Sequence, residues 1–306
     1  MTANATPVAR AAAPVASPEK KKQSRHLGTH FFLTVICITW LFPLVWAVYT
    51  AFRPYSETGA NPRGYFSVGG AYNFDNFLKA WKDAELFQHF LDTLIVAIPA
   101  IILILFFASM IAFAVSRYSF RFNIALLMLF TAGNLLPQQV VITPLYRMYL
   151  ALPMVSPISD NGMWYDQFFG LIMIHLAFQL GFCTFVLSNY FKQVPREINE
   201  AAVVDGASVW RTYWSVLLPL ARPALAALAT LEFTWIYNDF FWGILLLTKG
   251  WKFPVTSALN NLSGQFFTDY NLLAAGSLIV ALPTLIVYLV LQKQFVAGLT
   301  LGSTKG

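Results

Sequence analysis

The chain has 306 residues, 58% of them hydrophobic and only 11% charged, whereas a soluble domain carries about 25% charged residues. Two cysteines exclude a disulfide-stapled scaffold, and 28 Phe, 13 Tyr and 9 Trp exclude a disordered chain. The net charge of +6 rests on basic residues scattered between apolar runs, not gathered on one face as a nucleic-acid surface requires, so the class that remains is a helical protein crossing a membrane several times.

Residues 1–27 are rich in Ala, Pro, Ser and Lys and read as a flexible tail. The apolar run behind this leader is too long, and begins too late, for a cleaved signal peptide, so it is expected to stay as a first span over about 28–51. Further spans are expected over about 91–116, 122–146, 168–191, 223–247 and 272–292. Each suffices for a hydrocarbon core of ~30 Å, which takes about 20 helical residues. The runs Leu27 to Phe52, Thr93 to Ser116, Phe122 to Tyr146, Gln167 to Phe191 and Leu272 to Gln292 contain no Asp, Glu, Lys or Arg, and Pro223 to Thr248 holds only Glu232 and Asp239. The runs are continuous, not alternating, which favours helices over barrel strands. The expected fold is an all-α polytopic membrane protein with six crossings.

Between the first two spans, Arg53 to Glu85 is rich in Gly and aromatics and is expected to pack on the outer helix ends. The Pro- and Asp-containing segment from Arg147 to Asp166 is expected on the same side. Pro43, Pro99 and Pro283 read as ordinary prolines of membrane helices. Pro137, beside Gln138 and Gln139 and near Asn134, reads either that way or as a break along a translocation path.

Six crossings place both termini on one side. Thirteen of the 20 Lys and Arg fall in the two tails and in the loops around Arg117 and Lys192, and seven in the remaining loops. By the positive-inside rule both ends are cytoplasmic.

Self-contained chemistry is not legible. No Gly-Lys dipeptide is present, so there is no Walker-type phosphate loop. There is no HExxH and no paired-cysteine metal spacing. His175 inside a span reads as hydrogen-bonded packing, and Cys37 and Cys183 as small hydrophobes. No catalytic residue, metal ligand or bound cofactor is expected of this chain.

The cytoplasmic loop 192–222 carries the most specific signal. Pro195 fits the first position of a short helix with Glu197 in its first turn, and Gly206 stops that helix after Ala201 and Ala202. Ser208 can cap a second helix through Leu217, and Pro219 and Pro223 enforce a bend into the fifth span. The expected product is a helix–turn–helix whose small Ala and Gly side chains allow another protein to approach closely.

Glu200, Ala201, Ala202, Gly206, Val216, Leu218 and Pro219 keep every spacing of a known motif: Glu-Ala-Ala, three residues, Gly, nine residues, an aliphatic, one residue, Leu-Pro. This loop resembles the EAA loop of binding-protein-dependent ABC importer permeases, a type I importer architecture. The resemblance implies that Glu200, Ala201, Ala202, Asp205 and Gly206 sit in a cleft of an ATP-hydrolysing subunit, with Pro219 shaping the same element. It also implies a second homologous permease subunit, two ATP-binding subunits that carry the ATP and Mg, an extracellular or periplasmic solute-binding protein, and residence in the cell membrane. The segment Gln292 to Gly306 is similar to the tail of the smaller permease subunits of carbohydrate importers of the maltose type. There the tail reaches the nucleotide-binding subunits, which implies that role for Phe295, Gly298, Leu299, Thr300 and Gly302 to Gly306. Trp235 to Phe240 and Pro144-Leu145-Tyr146 also resemble that subgroup, implying a sugar or oligosaccharide substrate. Departures are an apparent insertion at Pro153 to Asp166, Asp92 where Asn is common, and the extra acid Glu232.

Aromatic faces combined with hydrogen-bonding groups suit sugars, so Asn134, Gln138, Gln139, Gln179, Trp235, Asn238 and Asp239 are candidates for the substrate path. Intramembrane acids are functional by default. Asp239 reads equally as an interhelical hydrogen bond, and Glu232 as buried or cavity-facing. The rival class is an ion-coupled secondary transporter working through Glu232 and Asp239, which has no visible inverted repeat and leaves the EAA spacing unexplained.

Overall fold

The computed structural model describes residues 27–59, 64, 67–118, 121–135, 137–155, 159–264 and 268–300, without the side chains of 27, 134, 135 and 293–300. The readings of the tail at 1–26, of the Asn134 side chain and of Phe295, Gly298, Leu299, Thr300 and Gly302 to Gly306 therefore lie outside the described residues. The described structure is helical, with two isolated bridges, Pro153 with Met163 and Ser263 with Thr268.

The chain divides into two units, Met1–Val45 and Trp46–Gly306. Helix α1 (Leu27–Ala51) begins in the first, carries no Asp, Glu, Lys or Arg, and keeps Pro43 within one continuous helix.

In the second unit, α2 (Tyr55–Thr58) and α3 (Asp75–Asp83) form the segment after α1. Asp75 in the first turn of α3 and Lys82 in its last suit the helix dipole. The segment is tied down through backbone carbonyls. Asn76 Nδ2 donates to Ala51 O and Arg53 O at 2.8 Å each, and Asn271 Nδ2 donates to Thr50 O and Arg53 O at 3.0 and 2.8 Å. The buried Arg53 guanidinium donates to Gly64 O, Ser67 O and Ser67 Oγ and lies 3.5 Å from Glu57 Oε2, so its charge is met by dipoles and a carboxylate within its own loop.

Helix α4 (Leu86–Arg117) starts earlier than the apolar run alone predicts. Its polar first turns are accommodated internally: Gln88 Nε2 donates to Asp92 Oδ1, His89 Nδ1 lies 2.6 Å from Phe253 O, and Thr93 Oγ1 accepts from Val255 N. Pro99 lies inside the helix. Ala97, Ala100, Ala108 and Ala112 line its buried face. Membrane helices gain little from apolar burial against one another, so small residues that let backbones approach are the means of packing. Among the described residues the most extensive helix pair is α4 with the helix Phe168–Gln193.

The expected third span is not one helix. α5 (Asn123–Leu135) ends before Pro137, a 3₁₀ turn runs over Gln138–Val141, and α6 (Ile142–Ala151) follows. Pro137 supplies no N–H and disfavours helix in the residue before it, which accounts for the break. α7 (Phe168–Gln193) is continuous. Tyr149 of α6 packs on Gly170, its hydroxyl donating to Gly170 O at 2.8 Å, and a side chain at 170 would run into the Tyr149 ring and the Trp164 carbonyl.

The chain continues through α8 (Arg196–Val204), α9 (Val209–Arg211), a π-helical turn Thr212–Leu217, α10 (Leu218–Leu220) and α11 (Arg222–Tyr237). After α11 come α12 (Phe241–Leu246), a 3₁₀ turn Gly250–Lys252, α13 (Val255–Ala258), a 3₁₀ turn Leu259–Leu262 and α14 (Tyr270–Thr300), which encloses Pro283. The fifth span expected over 223–247 is therefore also broken, between α11 and α12. α14 packs against α11 and α3, and Tyr237 hydroxyl donates to Val280 O at 2.8 Å. Among the described residues four helices are long and apolar enough to cross a membrane, and up to six spans result if each of two bent pairs, one around Pro137 and one around Ala221, counts as one.

Candidate coupling site and intramembrane polar residues

The coupling element starts where α7 ends. Pro195 stands just before α8, one position earlier than the first helical turn expected for it, and Glu197 lies in that turn. The helix closes in a Schellman arrangement: Ala207 N donates to Ala202 O at 2.9 Å and Gly206 N to Val203 O at 3.0 Å. Gly206 has φ +75°, the left-handed conformation that costs an L side chain and not glycine. A Cβ built there meets nothing within 4 Å, so this glycine answers the backbone, and the space beside it is open. Ser208 caps the second helix by accepting from Arg211 N at 3.3 Å.

That second helix is irregular. The π turn Thr212–Leu217 widens it just before Pro219, whose missing N–H interrupts the regular ladder. At Ala221 the chain bends by 72° into α11. Glu200, Ala201, Asp205 and Gly206 are exposed. Ala202 is not part of that exposed set. It is 9% exposed, and α8 packs against the π turn, so its small side chain serves a contact within the chain.

Of the polar residues singled out inside the spans, Gln179 lies on α7 and Asn238 and Asp239 at the α11–α12 break. Asn238 ends α11 and donates from Nδ2 to Thr234 O at 2.8 Å. Asp239 accepts from Trp242 N at 3.3 Å and Gly243 N at 3.1 Å, so it caps α12. These short side chains compete with the backbone for its own hydrogen-bonding groups, and that competition ends one helix and starts the next. Asp239 Oδ2 also lies 3.8 Å from His175 Nε2 of α7. Trp235 is 42% exposed, with its ring 5.3 Å from that of Phe182, and Trp242 lies 5.4 Å from Phe178. Gln138 opens the 3₁₀ turn far along the chain, half-buried, with Gln139 exposed beside it. Gln179 is half-buried on α7.

After α12 a charged cluster holds residues 159–166. Lys252, only 5% exposed, donates from Nζ to Asp160 Oδ2 at 2.7 Å and Asp166 O at 2.9 Å. Lys249 Nζ donates to Asp160 Oδ2 at 2.9 Å, and Thr248 N donates to Asp166 Oδ1 at 2.8 Å. The two ammonium groups hold the Asp160 carboxyl well below the usual carboxylate range, Lys252 more than Lys249, and Asp160 in turn raises Lys249. Among the described residues no group of three or more His, Cys, Asp and Glu is placed to hold a metal ion.

The profile of the binding-protein-dependent transport system inner membrane component family matches residues 104–299, a stretch that contains the whole coupling element. The chain is a member of that family. It is accordingly an ABC importer permease, a membrane component of a transport system, and the ion-coupled reading of Glu232 and Asp239 falls away. A protein of Pyrococcus horikoshii described as a probable ABC transporter permease, PH1036, is 32% identical over 281 residues, covering 91% of this chain and 97% of that one. The diacetylchitobiose uptake system permease protein NgcG of Streptomyces coelicolor is 28% identical over 277 residues, covering 90% and 87%. Among solved structures, a chain of a bacterial ABC transporter involved in the import of the acidic polysaccharide alginate superposes with a TM-score of 0.72 at 20% identity, covering 91% of this chain and 100% of that one. At that identity the likeness speaks for the fold.

Within the permease, sequence reasoning missed several partners. Cys183, read as a small hydrophobe, is the hydrogen-bond partner of Glu232: its Sγ lies 3.1 Å from Oε1, and both residues are fully buried. His175 of α7 faces Asp239 in the break between α11 and α12, and Lys252 proves to be a buried cation. Each pairing joins residues distant in the chain, and neither composition nor local spacing carries that information.

Proposed function

We propose that this permease forms half of a membrane channel for a carbohydrate and takes its energy from separate ATP-binding subunits. The exposed elbow carries the reading: Glu200, Ala201, Asp205 and Gly206 offer small and acidic side chains around a left-handed glycine with open space beside it. Such a surface suits close approach by the cleft of an ATPase subunit. Pro219 and the bend at Ala221 then turn the displacement of the elbow toward α11. Movement between inward- and outward-facing states is a two-state change biased by differential binding on each side.

The carbohydrate class is supported by the relative that takes up diacetylchitobiose and by the exposed aromatic and amide groups at Trp235 and Asn238. In this reading Trp235, Asn238 and Asp239 line the path, with Gln138 and Asn134 along it. The remaining assembly is a second homologous permease subunit, two ATP-binding subunits holding ATP and Mg, and a solute-binding protein delivering sugar to the outer face, with both termini of this chain cytoplasmic. The family description itself names dependence on a binding protein.

Two variants test the elbow. Gly206→Asp and Glu200→Lys are expected to leave the two permease subunits assembled in the membrane while the ATPase dissociates or hydrolyses ATP without transport. Normal sugar uptake in both would refute the assignment.

A further inference from the structure

The elbow can drive the membrane helices only if something joins it to them, and three contacts between side chain and side chain or backbone do so. At its start, Arg117, the last residue of α4, donates from one guanidinium nitrogen to Phe191 O at 2.9 Å and Val194 O at 3.0 Å. These carbonyls end α7, where Pro195 has no hydrogen to continue the ladder and Phe191 O accepts instead from Val194 N at 3.2 Å as well as from Arg117. In its middle, Tyr213 of the π turn meets Ser109 of α4 at 2.8 Å. Ser109 already gives its single proton to Phe106 O at 3.0 Å, so the tyrosine donates. At its end, Tyr190 of α7 donates to Leu220 O at 2.9 Å, a carbonyl left without a helical donor by the break at Ala221. Every one of these bonds bridges the coupling element, or its boundary, to α4 or α7.

We infer that Arg117, Tyr190 and Tyr213 are the positioning residues that transmit movement of the elbow, so that α4, α7 and residues 195–220 travel as one body while flexing is confined to the bend at Ala221. Three features support this. Arg117 and Tyr190 reach Val194 O and Leu220 O, carbonyls at the ends of helical segments, and Tyr213 reaches the buried Ser109 hydroxyl within α4, so removing these donors takes away the bonds that tie the element to α4 and α7. They are spaced over the start, the middle and the end of the element, which resists rotation as well as translation. And α4 and α7 are already the most extensively packed pair, so a load applied to one reaches the other. The inference rests on the reading that an ATPase subunit grips the elbow.

The test uses the assembled importer in lipid nanodiscs, with Cys37→Ala so that the exposed cysteine takes no label. Spin labels are placed at Val203→Cys on the exposed face of α8 and Ile102→Cys on the exposed face of α4. With the three donors intact, the distance between the labels is expected to differ by less than about 2 Å, the scale of small helix shifts, between nucleotide-free and ATP–vanadate states. With Arg117→Gln, Tyr190→Phe and Tyr213→Phe combined, that distance is expected to shift or broaden with nucleotide. Tyr190→Phe alone, which removes one hydroxyl, gives a smaller effect of the same sign and guards against misfolding of the triple variant. An unchanged, narrow distance in both states of the triple variant and of Tyr190→Phe overturns the inference, as does a large shift with all donors intact. The line shape of the Val203 label reports the underlying reading separately: immobilisation on adding the ATPase subunit supports docking at the elbow, and indifference to it overturns docking, not the clamps alone.

Discussion

The thiol of Cys183 on α7 and the carboxyl of Glu232 on α11 meet at 3.1 Å in the interior of the helix bundle, and the second carboxyl oxygen, Oε2, is buried with no hydrogen-bond partner among the described residues. An acid in this position is held by a single weak donor. Buried polar groups cost most when half of a pair is removed and least when both halves are replaced by apolar groups of similar shape.

Cys183→Ala is therefore expected to destabilise the permease by about 1–3 kcal/mol, the cost of a newly orphaned buried polar atom. The double variant Cys183→Ala with Glu232→Met is expected to recover most of that loss. Thermal unfolding in detergent orders the three proteins, and a double variant less stable than Cys183→Ala would contradict the pairing.

Gly206→Ala tests backbone against partner surface. The left-handed φ of +75° penalises any side chain by roughly 1–2 kcal/mol, yet the space around it is open. Gly206→Asn, whose side chain tolerates that conformation better, is expected to keep α8 folded by hydrogen exchange of residues 197–207. If docking needs the bare surface, Gly206→Asn still releases the ATPase, measured by co-purification.

Asp239→Asn separates two roles of that residue. Asparagine caps a helix about as well as aspartate, whereas alanine forfeits about 1 kcal/mol. Amide exchange over residues 241–246 is expected to stay slow in Asp239→Asn and to quicken in Asp239→Ala. Loss of transport in Asp239→Asn with unchanged exchange would assign the charge to the path, and unchanged transport would leave it with the cap and His175.

The Asp160 cluster gives a dependence on pH. Its folded carboxyl titrates below the usual range because Lys252, and then Lys249, stabilise the charged form. A depressed carboxylate contributes stability that is present above its unfolded pKa and lost only as pH falls through the lower folded value. Contact between 159–166 and 248–252 is thus expected to survive acidification through the ordinary carboxylate range. In Asp160→Asn it should already be loosened at neutral pH, with no further change on acidification from this group. Hydrogen exchange of residues 159–166 across that range provides the measurement.

How far the sequence reaches is visible in single residues. The uncharged runs require membrane helices because an unpaired charge or backbone group in hydrocarbon is costly, and the spacing from Glu200 to Pro219 specifies an elbow because a stop at Gly206 and a cap at Ser208 are local properties. Composition and near-neighbour geometry suffice for both. The break after Tyr237 lies at the margin: Asn238 and Asp239 carry its cause, but the surrounding apolar run from Pro223 to Thr248 conceals it. Which acid meets which thiol, which arginine closes the end of α7 and which lysine is buried were decided only by the tertiary structure. Those contacts depend on the close approach of α4 to α7 and of α7 to α11, and the distance between two helices is set by packing across the whole bundle, which no local stretch of residues encodes.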